Sequence, residues 1–307
     1  MKDSKYAPII IFAFNRLEPL KATVSSVLSN PEASESDLFI FVDGPRPNKE
    51  GEKDKVQSVQ GFVKTISGFK SLTYYFSDRN KGLAGSIISG TTEVINKYGR
   101  VIVLEDDLYV SQSFLRFMNE MLEKFECVDK VMQISGYGTL LTHIGSYKYH
   151  AYLNLRARSW SWATWKNRWD TVDWDVKDYN QIKKSKKLQC EFNKGGSDLF
   201  GMLKGYFDHT NNSWYIRFDY SMHKQSKYSI QPVRSLVRND GFGTNATHCS
   251  GYNRFKIDFE PAHEGDFFVP LDLEPNMSII KNAIRYNSIP YRIYGKIVSL
   301  LKVLIFK

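Results

Sequence analysis

The chain has 307 residues, 42% of them apolar, and a formal net charge of +9. These values fit one large domain, or a domain with an appendage, around a sizeable core. The positive balance suits polyanionic partners such as nucleotides or phospholipid surfaces, and the absence of an arginine-rich arm argues against nucleic acid.

The three cysteines, Cys127, Cys190 and Cys249, are odd in number and widely spaced, which argues against a disulfide framework and for a reducing, cytoplasmic compartment. No run reaches the ~18 apolar residues of a spanning helix.

In chain order, Ala7–Phe14 is a short apolar run, read as a first buried strand rather than a signal peptide because no small-residue cleavage site follows it. Leu17, Leu20, Val24, Val27 and Leu28 recur at helical spacing, and Asn30-Pro31 ends that helix. Leu38–Val42 is a second strand ending in Asp43-Gly44-Pro45. The charged, Pro- and Gly-containing stretch from Arg46 to Lys55 reads as a loop. A helix through Val56–Ile66 and a strand over Leu72–Phe76 follow. Arg79–Gly85 then opens a helix that carries Ile87, Ile88, Val94 and Ile95, with Gly99 placed as a C-cap.

Val101–Leu104 is the strongest strand signal, four apolar residues that run into Glu105-Asp106-Asp107. Three adjacent carboxylates repel one another and their pKa values rise unless a cation sits among them. A hard divalent ion with a phosphorylated substrate is the simplest compensation, and an acidic turn is the alternative. A long amphipathic helix over Phe114–Phe125 follows. The alternation predicts an α/β fold, a mostly parallel sheet with helices on both faces. Past Ser135 the spacing becomes irregular. The expected divisions are 1–135 and 136–270, two halves of one domain with the second facing substrate, and 271–307 for a tail.

Three strand ends, Asn15-Arg16, Asp43 and Glu105-Asp106-Asp107, would converge on one crevice outside the carboxyl ends of the strands. There Arg16 could hold phosphate and Asp43 a base, although Asp43 before Gly-Pro also fits a turn. Asn80-Lys81-Gly82 at a helix start would offer free N–H groups and a cation to a diphosphate, or simply open a helix. Trp165 and Trp169 read as core. Trp160 and Trp162 could instead stack on an acceptor sugar. Asp219 follows the aromatic run Trp214–Phe218, where desolvation would raise its basicity; the alternative is a surface residue paired with Arg217. His248, after the Gly- and Asn-rich loop 239–245, could supply a metal ligand or be merely solvated.

Phe14-Asn15-Arg16, the Val42–Gly44 turn, Arg79–Gly82 and Glu105–Asp107 occur in the order of the GT-A fold glycosyltransferases, which the chain resembles over about residues 8 to 250. Val103–Met118 is especially similar to the inverting N-acetylglucosaminyltransferase I group. The resemblance implies a GT-A, Rossmann-like fold and transfer from a nucleotide-sugar donor, UDP-linked in that group, with Mn²⁺ or Mg²⁺ as cofactor. By position it implies that Phe14, Asn15, Arg16 and Asp43 contact base and phosphates, and that Asn80, Lys81 and Gly82 line the diphosphate. Glu105 would face the sugar, Asp106 the ribose and Asp107 the metal. Asp219 would be the catalytic base, and His248 a second metal ligand. Rival readings are a sugar nucleotidyltransferase and a non-catalytic nucleotide- or carbohydrate-binding protein.

The basic, apolar tail at 289–307 is expected to lie on an anionic membrane surface, or else to dock on the domain. A glycan or lipid-linked glycan acceptor for a surface polysaccharide would then be met at the inner face of the membrane.

Overall fold

The computed structural model describes residues 5–241 and 255–305. The elements run β1 (Ile9–Ala13), α1 (Leu17–Leu28), β2 (Asp37–Val42), α2 (Glu52–Val63), β3 (Ser71–Phe76), α3 (Gly82–Tyr98), β4 (Arg100–Glu105), β5 (Leu108–Val110), α4 (Phe114–Lys124) and β6 (Val131–Ser135). They continue with β7 (Ala151–Asn154), β8 (Trp162–Trp165), α5 (Lys166–Trp169), α6 (Tyr179–Lys184), α7 (Lys186–Phe192), α8 (Leu199–Phe207), α9 (Trp214–Lys224), β9 (Tyr228–Pro232), β10 (Val237–Asn239), α10 (Met277–Ile284) and α11 (Ile289–Ile305).

Eight strands form one sheet in the order β3-β2-β1-β4-β8-β6-β9-β7, and β5 pairs with β10 in a small second sheet. The first four are parallel, as the two-sided apolar runs predict. β8 is antiparallel to both β4 and β6, and β7 is antiparallel to β9. The α/β expectation holds, with two strands reversed.

Alternation along each strand divides the core. Ile9 and Ile11 of β1, with Ile102 and Leu104 of β4, pack among Leu20, Val24, Val56 and Met118 of α1, α2 and α4. Ile10, Phe12, Val101 and Val103 face the other way, among Ile87, Val94, Ile216 and Phe218 of α3 and α9. A side chain such as Ile9 or Ile10, wholly removed from water, contributes about 2 kcal/mol through the hydrophobic effect. Burial on both faces therefore holds β1 at the centre.

Trp162, Trp165 and Trp169 do not share one helix, although their spacing permits it. Two of them belong to β8, because that segment pairs with β4 and β6, and tertiary pairing overrides local periodicity. All three are nevertheless buried.

Candidate active site

The chain moves outward from β1 through β2 to β3, then crosses back to lay β4 against the other side of β1. Strand order reverses between β1 and β4, and in open α/β sheets such a switch point opens a crevice at the carboxyl ends. Arg16 and Glu105-Asp106-Asp107 occupy that point.

Arg16 Nη2 bonds Asp106 and lies 3.0 Å from Asp107 Oδ2. The sequence called for a cation among the carboxylates, and the chain supplies one itself. Burial raises the Asp106 carboxyl to about 6 against the pull of Arg16. Burial, then the charges of Asp107 and Asp106, raises Glu105. When all three carboxylates are ionised, one guanidinium leaves a deficit of two positive charges, and Glu105 accepts no hydrogen bond among the described residues. Hard oxygen donors with that residual charge fit one divalent cation. No group of three His, Cys, Asp or Glu side chains among the described residues could hold a metal. The protein would thus provide one or two carboxylates, with substrate phosphates completing the shell, as is usual for Mg²⁺.

Of the two readings of Asp43, base contact or turn residue, its hydrogen bonds fit the turn. Its Oδ1 accepts the amides of Gly44 at 2.9 Å and Lys81 at 2.8 Å, and its Oδ2 accepts that of Gly82 at 2.9 Å. The amides of Lys81 and Gly82 are therefore not free for a diphosphate, because a carboxylate within the fold satisfies them first. Asn80 Nδ2 donates to Gly44 O at 2.8 Å. Together these bonds tie the β2 end to the entry of α3. A Cβ on Gly44 would lie 2.5 Å from the Arg79 backbone, and Gly82 holds φ at +72°, so both turns need glycine.

Asn15 Nδ2 donates to Glu52 Oε1 at 3.2 Å, and Glu52 also binds Arg46, whose guanidinium stands 5.5 Å from the Phe14 ring centre. Beside them Arg46, Lys49, Lys53 and Arg79, outnumbering Glu50 and Asp78, line an open groove of about 830 Å³. Nothing local in the sequence marks the Asn15–Glu52–Arg46 link or this basic wall. The charged stretch 46–55 looked like a plain loop, since a clasp between residues 37 apart leaves no local signal.

The second half departs further. Trp162 is 1% exposed, stacks on Trp169 and packs at a tilt against Trp214. An acceptor sugar cannot reach it, and the expected acceptor role is corrected to core. Trp160 is half-buried, in edge contact with Tyr137 and Phe255. Asp219 has no exposure, and its Oδ1 accepts the Ala157 amide at 2.5 Å. A general base must come within hydrogen-bond reach of the acceptor, and a sealed carboxylate does not. Arg217 bonds the Ser213 and Trp174 carbonyls instead of Asp219. His248 lies outside the described residues. A contact the sequence did not suggest is that of Gly241, where an added Cβ would lie 2.1 Å from Asp107 Oδ2. The amide of Asp240 donates to Asp107 O at 3.0 Å. The Asn- and Gly-rich composition of 239–245 was its only trace.

The model of the family "Glycosyl transferase family 2" matches residues 9–209, from β1 through α8. No curated protein matches the chain. Among solved structures, a mannosyltransferase from Pyrobaculum calidifontis in complex with GDP-Man and Mn²⁺ aligns over 73% of this chain and 70% of its own, at 8% identity and a TM-score of 0.39. A UDP-glucose pyrophosphorylase complexed with UDP-glucose aligns over 74% of this chain and 90% of its own, at 12% identity and a TM-score of 0.37.

Proposed function

The chain belongs to glycosyl transferase family 2, and from that premise we propose that it transfers a sugar, with inversion, from a nucleotide-linked donor to a hydroxyl of a glycan acceptor. The observation that carries this reading is the acidic end of β4 facing Arg16 at the switch point of the sheet. Arg16 fixes Asp106 and Asp107 through Nη2, and its remaining N–H groups carry no hydrogen bond among the described residues, so they suit phosphate oxygens. Asp107 would hold Mn²⁺ or Mg²⁺, which supplies Lewis-acid stabilisation of the departing diphosphate when bound.

The basic groove of Arg46, Lys49, Lys53 and Arg79 suits the nucleotide end of the donor. Asp43, Asn80 and Gly82 shape its floor rather than bind through free groups. Glu105 would face the donor sugar, and UDP is the nucleotide favoured by the likeness of Val103–Met118 to the N-acetylglucosaminyltransferase I group. Asp219 would hold the Ala157 backbone that leads into Trp160, a positioning role.

No helix among the described residues is long and apolar enough to cross a membrane. Ile289, Ile293, Tyr294 and Ile297 of α11 are exposed beside Arg292 and Lys296, a combination suited to an anionic bilayer surface. Extension of a lipid-linked glycan at the cytoplasmic face, for a surface polysaccharide, is the setting that fits these features.

The test is incubation with UDP-, GDP- and dTDP-sugars and Mn²⁺ while nucleoside diphosphate and pyrophosphate are measured. Slow metal-dependent release of nucleoside diphosphate, with an inverted anomer of the sugar by NMR, is expected. Pyrophosphate release from a nucleoside triphosphate and a sugar phosphate, or no turnover of any donor, would overturn the reading.

A further inference from the structure

A second concavity lies farther along the sheet edge that holds the acidic crevice. β9 ends at Pro232, paired with Ala151 at the start of the antiparallel strand β7. Tyr147–His150 and Pro232–Leu236 therefore leave the sheet on the side where β1, β2 and β4 end. Between them and the stretch that holds Glu260, His263 and Phe267 is a cavity of about 360 Å³, within the ~300–1,000 Å³ of small-molecule sites.

Its wall mixes apolar faces with open polar groups. Tyr149, Pro232 and Val233 supply the apolar part. His150 Nδ1 accepts the Phe268 amide at 2.8 Å. The neutral ring therefore carries its proton on Nε2, which has no partner among the described residues. Glu260 Oε1 takes both Arg234 and His263 at 3.1 Å, while Oε2 accepts nothing among the described residues. A free donor and a free acceptor thus remain.

Charge decides the class of ligand. Arg234 is spent on Asp258 and Glu260, each at 3.1 Å. Lys148, the other cation of the wall, has no ion pair among the described residues and lies over the Tyr149 and Phe268 rings. One open ammonium is a weak hold for a phosphate or carboxylate, which a free bidentate guanidinium or several cations bind best. A neutral ring with hydroxyls on its rim and apolar faces needs what this wall offers.

The cavity is also tied to the crevice. From β4 to β9 the edge crosses β8 and β6, three strand spacings of about 4.8 Å, or roughly 14 Å. Trp160 and Tyr137 stand along that edge in ring contact at 4.9 Å. The segment that lines the cavity at Arg234 and Leu236 continues directly into β10, which pairs with β5 and brings the Asp240 amide onto Asp107 O. One run of backbone spaces the two sites.

We propose that this cavity is a distal saccharide subsite, which takes a neutral sugar ring of an oligosaccharide acceptor a few units away from the hydroxyl that reacts. The assignment rests on the glycosyl-transfer reading for its purpose but not for its binding chemistry, so the two are tested apart. Saturation-transfer NMR on the full chain without nucleotide, with maltotriose, cellotriose, mannotriose and triacetylchitotriose as probes, should show transfer to at least one of them. His150→Ala and Tyr149→Leu should weaken that binding about tenfold, the scale of one lost hydrogen bond or ring contact. Both variants should leave slow donor hydrolysis unchanged, and His150→Ala should lower the melting temperature only modestly, because the Phe268 amide it deserts is exposed to water.

Absence of transfer to all four probes, or equal binding by wild type and both variants, would overturn the subsite. Displacement of the bound trisaccharide by millimolar inorganic phosphate would overturn its neutral-sugar character. Trisaccharide binding without donor hydrolysis in the wild type would uphold the subsite while refuting the transferase reading.

Discussion

Arg16 Nη2 lies 3.0 Å from Asp107 Oδ2 while it bonds Asp106, so one guanidinium neutralises part of an acidic cluster 90 residues away in the chain. Removing it should leave carboxylates buried and uncompensated. Arg16→Ala is expected to cost about 3 kcal/mol, the scale of breaking a largely buried pair. Mn²⁺ should recover more of the melting temperature in this variant than it adds to wild type. Equal Mn²⁺ shifts in both proteins would remove Asp106 and Asp107 from the metal assignment. Asp107→Asn should abolish metal-dependent stabilisation by nucleotide and leave the fold intact.

Asp43 accepts three backbone amides. Asp43→Ala should cost about 2–4 kcal/mol, since each deserted buried donor carries a penalty of ~1–3 kcal/mol that water entry partly relieves. Nucleotide binding should weaken in parallel through displacement of the α3 entry. Thermal melts with and without UDP check both effects. A variant that keeps its stability but loses UDP binding would return Asp43 to direct base recognition.

The Asp219 carboxyl is raised by burial to about 7, against the opposing influence of Arg156 and the Ala157 amide. A folded pKa above the ordinary 3.8 means that the folded state holds the extra proton. This residue's contribution to stability is therefore full below about pH 4 and lost as pH rises toward 7. Asp219→Asn, which imitates the protonated acid, should match wild type near pH 4 and exceed it by about 2–4 kcal/mol at pH 8. Transfer rates should stay within about tenfold, whereas a loss beyond ~100-fold without a stability change would restore the general-base role.

Exposure of Ile289, Ile293, Tyr294 and Ile297 on α11 leads to a binding experiment. Full-length protein should sediment with anionic vesicles at low salt and be released as ionic strength rises, because each basic side chain near the surface adds about 1 kcal/mol. Ile293→Glu with Ile297→Glu should abolish sedimentation and spare donor hydrolysis. Indifference of wild type to such vesicles would refute the membrane role.

Strand identity in the first half was legible in the residues. Ile9–Ala13, Leu38–Val42 and Val101–Leu104 bury both faces, and two-sided apolar runs separated by helical spacing leave few alternatives to a parallel sheet. The polar endings of those strands then implied a crevice before any contact was known. Trp165 and Trp169 were legible as core for a similar reason, because bulk and apolarity are local properties.

What the tertiary structure decided concerns pairing between distant residues. Nothing local in β4 says that it returns to the free side of β1, and that placement alone brings Arg16 onto Asp106 and Asp107. Asp43 looked like a ligand contact or a turn residue, and the amides of Lys81 and Gly82 made it a clasp between two loops. Trp162 and Asp219 are sealed from any acceptor because β8 is inserted between β4 and β6, and because the Ala157 backbone crosses over α9. Residue type and spacing report which groups favour burial or charge. Their partners are set by strand order and register, which arise from the packing of the whole sheet.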